Sequence, residues 1–149
     1  MKLYKVLGNG GNPCNGGRGK WHLPENGKPG KWMPPIKGEI DPCQNGYHLC
    51  RLKNLLGWLN EEIYEAEGRG DSVEQPDKIV FREARLIRRL GTWNEKTARL
   101  FAADCAERVL PLFEKAYPKD NRPRLAIQAA RDFAGGNIGA AARDAARDA

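Results

Sequence analysis

The character of the chain changes at Thr92-Trp93-Asn94-Glu95. A hydroxyl side chain followed three residues later by Glu is typical of the capping box that begins a helix, so we expect a helix to start at Thr92. Beyond it, apolar residues recur with helical spacing up to Ala116, and Tyr117-Pro118 ends the pattern. Pro111 removes a backbone hydrogen bond, which predicts either a bend or a new helix at that point.

Two further helices are predicted after Pro118. The first can begin at Arg122-Pro123, because Pro is favoured in the first turn of a helix. It runs to about Phe133, and Gly135-Gly136 can end it. Asn137 can cap another helix from Ile138, although its alanine-rich repeat would bury little surface.

The sequence before Thr92 is rich in glycine, and ten of the 17 glycines lie between Gly8 and Gly46. Such a segment favours turns and short strands over helices. Lys78–Leu90 is compatible with a strand or a helix, and its β-rich Ile-Val-Phe favours a strand for the first half. Strands are predicted at Leu3–Leu7, Tyr47–Cys50 and Ile63–Glu67, and Leu52–Leu59 carries a helical apolar stripe. We therefore expect an α+β fold, with a Gly-rich mixed β unit at residues 1–91 packed against a helical unit at residues 92–149.

The net charge of +6 is concentrated at the start of the chain, where residues 1–60 hold nine Lys and Arg against three Asp and Glu. A basic surface can attract nucleic acid or an acidic protein, and a solvated basic surface without a ligand is the simpler interpretation. The first residues lack the apolar segment of a secretion signal, and no apolar run approaches the roughly 20 residues of a membrane span. We expect a cytoplasmic protein with reduced cysteines and no membrane partner.

Three cysteines and one histidine form a candidate metal set: Cys14, Cys43, His48 and Cys50 could supply the Cys₃His ligands of zinc. Their spacing lacks the paired cysteines of zinc knuckles, so the favoured interpretation is buried thiols without a metal. His48 could also activate Cys43 or Cys50 as a nucleophile. The sequence supplies neither a third group nor an oxyanion hole for such a pair.

Glu65 and Glu67 would lie on one face of a strand, where two carboxylates can bind a ribose hydroxyl or stabilise an oxocarbenium ion. The alternative interpretation is the solvent face of an edge strand. In an enzyme, these two would be catalytic and His48 would position the ligand. The glycine-rich run contains no Gly-x-Gly-x-x-Gly and no Gly-Lys-Ser/Thr, so no cofactor is predicted.

Basic and aromatic side chains are the candidate binding residues, because together they can hold nucleic acid or anchor a protein partner. Acidic residues interleave with the arginines around Arg82, so surface ion pairing is the commoner explanation there. The candidates are Trp21, Trp32, Lys20, Lys31, Arg51, Arg82 and Arg85.

The last third of the chain contains Ala-Asp-Cys-Ala-Glu at residues 103–107, followed by Asn-Arg-Pro-Arg at residues 121–124. This part resembles a helical family of immunity proteins from bacterial polymorphic toxin systems. The resemblance implies a protein partner that the chain binds and neutralises.

The first part carries Asn12-Pro13-Cys14-Asn15-Gly16-Gly17, Pro42-Cys43 and Gly46-Tyr47-His48-Leu49-Cys50-Arg51. It resembles an uncharacterised domain of phages and actinobacteria. The order of Gly-Tyr-His-Leu, a short helix and Ile-Tyr-Glu-Ala-Glu is also similar to ADP-ribosyltransferase-like folds, although their usual Arg and Ser determinants are not recognisable here.

These observations favour an immunity or inhibitor protein, either antitoxin-like or a phage counter-defence protein such as an anti-CRISPR. A nucleotide-binding enzyme similar to ADP-ribosyltransferases is the alternative, and a nucleic-acid-binding protein is the second alternative.

We predict that the two parts fold as one cooperative unit, because neither buries enough apolar surface to offset the ordering of its backbone. We expect Trp58 and Trp93 to lie at the contact between the two parts. Trp93→Ala should then lower the free energy of unfolding by about 3–5 kcal/mol if the ring is buried there. Calorimetry of the intact chain should show a single transition, and residues 1–91 and 92–149 should each fold poorly when expressed alone. Two separate melting transitions would contradict this expectation.

Overall fold

A computed structural model describes residues 1–137 and residue 139. The chain divides into two compact units, which we call the sheet unit (Met1–Trp93) and the helical unit (Asn94–Ala149). The predicted α+β class is confirmed, because the first unit holds a four-stranded antiparallel sheet and the second holds helices. Whether the two units fold cooperatively stays a prediction.

The sheet has the strand order β1-β3-β4-β2, with every neighbouring pair antiparallel. The predicted first two strands are confirmed as β1 (Leu3–Leu7) and β2 (Tyr47–Leu49). The third, β3 (Glu62–Glu74), is longer than expected, and β4 (Ile79–Arg89) is a strand over its whole length. A β4 that pairs with β3 along most of its length excludes the helical alternative for Lys78–Leu90.

The end of β2 returns to β1 and closes the sheet. Tyr4 and Cys50 exchange both of their backbone hydrogen bonds, each with an N–O distance of 2.9 Å. β1 is therefore paired with β3 along one edge and bridged to the residue after β2 on the other. This pairing satisfies backbone groups of β1 that a free edge strand would expose.

The loop before β2 covers the rest of β4. Gly30, Met33 and Ile36 donate backbone N–H groups to the carbonyl oxygens of Leu86, Ala84 and Arg82, at 2.8–2.9 Å. Only glycine fits at position 30, since a Cβ there would lie 2.0 Å from the carbonyl oxygen of His22. Strand β4 thus holds residues 30–36 of the glycine-rich segment in place.

Two clusters of apolar side chains form the core of the sheet unit. The first brings Trp21 and Met33 from the loops onto the strands, where both side chains are buried. Trp58 and Trp93 pack against the second cluster and are partly buried. The indole N–H of Trp58 donates to the carbonyl oxygen of Asp77, and that of Trp93 donates to the carbonyl oxygen of Asn60. The buried members of the first cluster are Leu3, Leu7, Trp21, Met33, Leu49, Tyr64, Ala66, Ile79, Ala84 and Leu86, and those of the second are Tyr4, Val6, Cys50 and Ile63.

The predicted stripe at Leu52–Leu59 forms a 3₁₀-helix over Leu52–Trp58 instead of an α-helical turn. With three residues per turn, the side chains that an α-helix would align on one face diverge. Leu55 and Leu59 pack against the second cluster, whereas Leu52 and Leu56 are exposed.

The helical unit contains α1 (Glu95–Ala116) and α2 (Arg122–Gly135). The prediction of a Thr92–Glu95 capping box was wrong: Asn94 is the N-cap, and its side chain and that of Thr97 each accept the other's backbone N–H. Asn94 is extended, so its short side chain reaches the first turn. The second helix is confirmed and ends at Gly136 in the left-handed conformation, while the predicted helix from Ile138 lies outside the described residues.

Pro111 neither begins a new helix nor divides α1, which continues through it to Ala116. A proline removes only one backbone donor, and the pairing of α1 with α2 on both sides of residue 111 holds the helix together. Among residues 1–137 and 139, no helix has the length and apolar content that crossing a bilayer requires.

We predict that Leu86→Ala lowers the free energy of unfolding by about 2–5 kcal/mol, because the fully buried side chain leaves a cavity under the loop. Urea denaturation followed by Trp fluorescence measures this change. Leu56→Ala is the matched control, since Leu56 is 70% exposed and should change stability by less than about 0.5 kcal/mol. Equal effects of the two substitutions would contradict the packing described.

Candidate functional site

Glu65 and Glu67, the two carboxylates predicted to be catalytic if the chain is an enzyme, both form ion pairs with arginines. Glu65 accepts hydrogen bonds from Arg88 Nε and Nη2 at 2.7 and 2.6 Å, and Glu67 pairs with Arg85. The hydrogen bonds from Arg88 hold the pKa of Glu65 below its ordinary value. Both acids lie on β3, and β4 separates this strand from His48 on β2. The structure does not bring the predicted catalytic set together.

Trp32 and Arg85 meet on the sheet, and the indole ring of Trp32 carries two guanidinium groups. Arg69 and Arg85 lie 4.1 and 4.7 Å from the ring centroid, within the range of cation–π attraction. Arg69 also bonds Glu83 at 2.7 Å. These side chains stabilise one another across β3 and β4. Trp32 and Arg85, which were predicted to contact a ligand, contact each other in the structure.

The other predicted binding residues are dispersed. Arg82 bonds the carbonyl oxygens of Ile36 and Gly38 at 2.7 and 2.9 Å and pairs with Asp71, so it holds the loop over β4. Arg51 pairs with Glu74, and Trp21 is buried in the core. Lys20 and Lys31 are exposed on the loops. Surface ion pairing accounts for the arginines of β4, and nucleic-acid binding stays a prediction.

The structure does not assemble a metal site from Cys14, Cys43, His48 and Cys50. In the part of the chain that is described, no group of three or more His, Cys, Asp or Glu side chains could hold a metal ion. Burial raises the pKa of the Cys14 thiol, and it raises that of Cys50 to about 11. All four cysteines are free, and Cys43 and Cys105 are exposed.

His48 is a structural acceptor. Its Nε2 accepts the backbone N–H of Cys43 at 2.9 Å, so that nitrogen is unavailable to take a proton from a thiol. Burial, together with the nearby Lys5 and Lys78, lowers the pKa of His48. A neutral imidazole that orients the turn is the role that this geometry supports.

Sequence reasoning overlooked Lys5, a charged residue in the middle of the apolar strand β1. Its ammonium donates to the carbonyl oxygen of His48 at 3.2 Å and lies 5.1 Å from the centroid of the Trp21 ring. Burial of the ammonium lowers the pKa of Lys5 to about 8. The signal that could have identified it is the single lysine within Leu3-Tyr4-Lys5-Val6-Leu7.

An apolar groove of about 510 Å³ lies between α1 and α2 in the helical unit. Its lining is apolar apart from Arg99, and Val109 on its wall is 57% exposed. Leu112 and Leu125, on the same two helices, are also exposed. The lining residues are Arg99, Ala102, Ala103, Ala106, Val109, Leu110, Phe113, Pro123, Ala126, Ile127 and Ala130.

Charged pairs fasten the two helices beside this groove. Arg131 of α2 lies 2.7 Å from both Asp104 and Glu107 of α1, and Arg124 of α2 makes two hydrogen bonds to Glu114. Among the described residues, Ala103, Leu110 and Ile127 form the buried cluster between the helices. The described part of the helical unit therefore leaves much of its apolar side-chain area uncovered.

The comparisons with known proteins concern the end of the chain. The family model described as Imm-5 like putative immunity protein matches residues 88–149, which include the whole groove. This match confirms the resemblance of the last third to an immunity-protein family. No curated protein and no solved structure matches the chain, and no match supports the resemblance of its first part to a phage and actinobacterial domain.

Lys5→Met should stabilise the protein in a pH-dependent way. Because the pKa of Lys5 falls from 10.5 to about 8 on folding, the unfolded chain binds the proton more tightly, and wild-type stability rises with pH between these values. The advantage of Lys5→Met should be greatest below pH 8 and should shrink toward pH 10.5. Urea denaturation from pH 7 to 10.5 measures it.

The exposed Lys53 provides the control, since Lys53→Met should show no such pH-dependent difference from wild type. A constant difference between Lys5→Met and wild type across this range would refute the assignment.

Proposed function

We propose that this protein is an immunity-type inhibitor that binds a protein partner through the groove of the helical unit. The supporting observation is the overlap of two features. The matched immunity-family range, residues 88–149, contains the groove, and the groove is an apolar surface that the described part of the helical unit leaves exposed. Exposed apolar patches of this kind mark interaction sites.

The shape of the groove suits an amphipathic helix of the partner. Alanines supply much of the lining, at positions 102, 106, 126 and 130, and their small side chains allow another helix to approach closely. Val109 and Phe113 are the larger side chains against which apolar anchors of that helix can pack. A helix in a groove of two others is a common mode of recognition, with anchors three to four residues apart.

The charges beside the groove favour an apolar contact over an ionic one. Arg99 is paired with Glu95 at 2.7 Å and lies 4.8 Å from the centroid of the Phe133 ring. Arg124 and Arg131 are likewise paired with acids of α1. Binding should therefore depend weakly on salt, in contrast to the steep salt dependence of a nucleic-acid interface.

Neutralisation of a bacterial toxin is the form of inhibition that we propose, because the matched family is described as immunity proteins. A phage counter-defence protein such as an anti-CRISPR would use the same mode of binding, but no feature of the groove favours it. The ADP-ribosyltransferase-like alternative is disfavoured by the engagement of Glu65 and Glu67 with arginines.

Val109→Asp should weaken binding of the partner at least tenfold, or about 1.4 kcal/mol, because it places a charge on the apolar wall of the groove. The partner is captured from a host lysate on the full chain, purified and titrated by calorimetry. Its expression should arrest bacterial growth, and co-expression of the wild-type chain should restore growth.

Leu56→Asp is the matched control, because Leu56 is an apolar residue of the sheet unit that is 70% exposed, against 57% for Val109. It should retain both binding and growth rescue, and Val109→Asp should lose both. Retention of both by Val109→Asp would refute the groove as the binding site.

Two other occupants of the groove would give different results. If a second copy fills it, light scattering will report twice the 16.6 kDa of one chain, and Val109→Asp will halve that mass. If residues 138–149 fill it, removing them will leave partner binding unchanged, and Val109→Asp will have no effect in the full chain. Either result would overturn the proposed partner site.

A further inference from the structure

A tight turn fixes Cys43 at the surface. The backbone groups of Asp41 and Asn45 bond each other across the turn, and the side-chain amide of Asn45 holds the carbonyl oxygens of Lys37 and Glu39. Cys43 has a φ of 72°, a left-handed conformation that is strained for a residue with a side chain. Its N–H bonds His48 Nε2, so both the turn and the imidazole maintain this conformation.

The ammonium of Lys78 lies against the exposed sulfur. Lys78 is only 8% exposed, and its Nζ donates to Cys43 Sγ at 3.2 Å. A thiol is a weak hydrogen-bond acceptor, whereas a thiolate gives a charge-assisted bond to an ammonium. A buried cation beside the sulfur therefore stabilises the thiolate, the form of cysteine that reacts.

Two other groups lie near the Lys78 ammonium. The carboxylate of Asp77 lies 3.7 Å from Lys78 Nζ, and its side chain is half exposed, so water screens its repulsion of a thiolate. The face of Trp58 lies 5.4 Å from the same ammonium and restricts the solvent around it. His48 is kept neutral by burial and by the nearby lysines, which lower its pKa.

The other three cysteines lack this combination of exposure and a cation. Burial raises the pKa of Cys14 and Cys50, which keeps those thiols protonated. Cys105 is exposed on α1. Cys43 alone among the four joins an exposed sulfur to the hydrogen bond of a buried ammonium.

We propose that Cys43 is a reactive thiol at which this chain forms mixed disulfides with low-molecular-weight disulfides. The Cys43 thiolate attacks one sulfur of the reagent RS–SR, and its electron pair forms the new Sγ–S bond. The RS–SR bond breaks, and RS⁻ leaves and takes a proton from water. Cys43 is oxidised, one half of the reagent is reduced, and the sulfur beside Lys78 in the product is neutral.

This site belongs to the sheet unit and is independent of the proposed function of the helical unit. Modification of Cys43 turns the sulfur to which the buried ammonium donates into a disulfide sulfur, which is a weak acceptor, and it leaves Asp77 as the nearby acid. The turn and the adjacent β2 should then be less stable, so the modified protein should melt at a lower temperature.

The test uses the full chain with 2-hydroxyethyl disulfide, a neutral reagent, at pH 7. Peptide mass spectrometry follows the modification of each cysteine with time. Cys43 should react roughly tenfold faster than Cys105, and Cys14 and Cys50 should be the slowest. Cys105 is the internal reference, since it is exposed but lies on a helix of the other unit.

Lys78→Met should reduce the rate at Cys43 to about that at Cys105 and leave Cys105 unchanged, and Lys78→Arg should retain most of the acceleration. If these variants fail to fold, the same modification is measured on the wild type unfolded in urea. The ratio of the rate at Cys43 to the rate at Cys105 should then fall to about one, because the contact with Lys78 is lost. A native ratio near one, or a ratio that survives unfolding, would overturn the proposal.

Discussion

Strand β4 forms hydrogen bonds along both of its edges, and the sheet unit depends on this pairing. On one edge it pairs with β3, and on the other it pairs first with β2 and then with the backbone of Gly30, Met33 and Ile36. A glycine-rich loop loses much conformational entropy when it becomes ordered. The carbonyl groups of β4 supply fixed acceptors for that loop, and Arg82 of the same strand holds its end. Order in the first part of the chain is therefore imposed by residues that come about 50 positions later.

Local patterns were sufficient to predict most strands and helices. The spacing of apolar residues indicates the type of element, and glycines and prolines mark where it ends. Lys78–Leu90 stayed ambiguous because its apolar residues fit both periods, and only pairing with β3 decides between them. The N-cap was misplaced by two residues, since Thr92 and Asn94 are both good caps and the conformation of the preceding chain selects one. Site residues were harder to predict, because Cys43 and Lys78 are 35 positions apart and meet only through the sheet.

The distribution of charge along the sequence differs from its distribution in the fold. The first 60 residues carry an excess of six basic side chains, but Lys2 and Arg51 find acidic partners on β3. The arginines of β4 pair with acids of β3 in the same way, and irregularities in strand register between residues 65 and 72 set which pairs meet. Such pairs contribute little stability individually. Their effect is to neutralise part of a basic excess for which the sequence alone allows either a solvated surface or a nucleic-acid interface.

The described parts of the two units differ in how much of their apolar side-chain area they bury. The sheet unit brings two loops and a 3₁₀-helix over its strands, so that Leu7, Leu49, Val80 and Leu86 are fully buried. In the described helical unit, ion pairs hold α1 against α2 and a cluster of three residues is buried between them, while Leu112 remains 73% exposed. Exposed apolar area favours any contact that removes it from water, and a partner that binds only the folded hairpin must also stabilise it. Under the proposed function, the small buried core of the described helices and their binding surface are one property: the side chains that α2 leaves uncovered on α1 are the ones that a partner would cover.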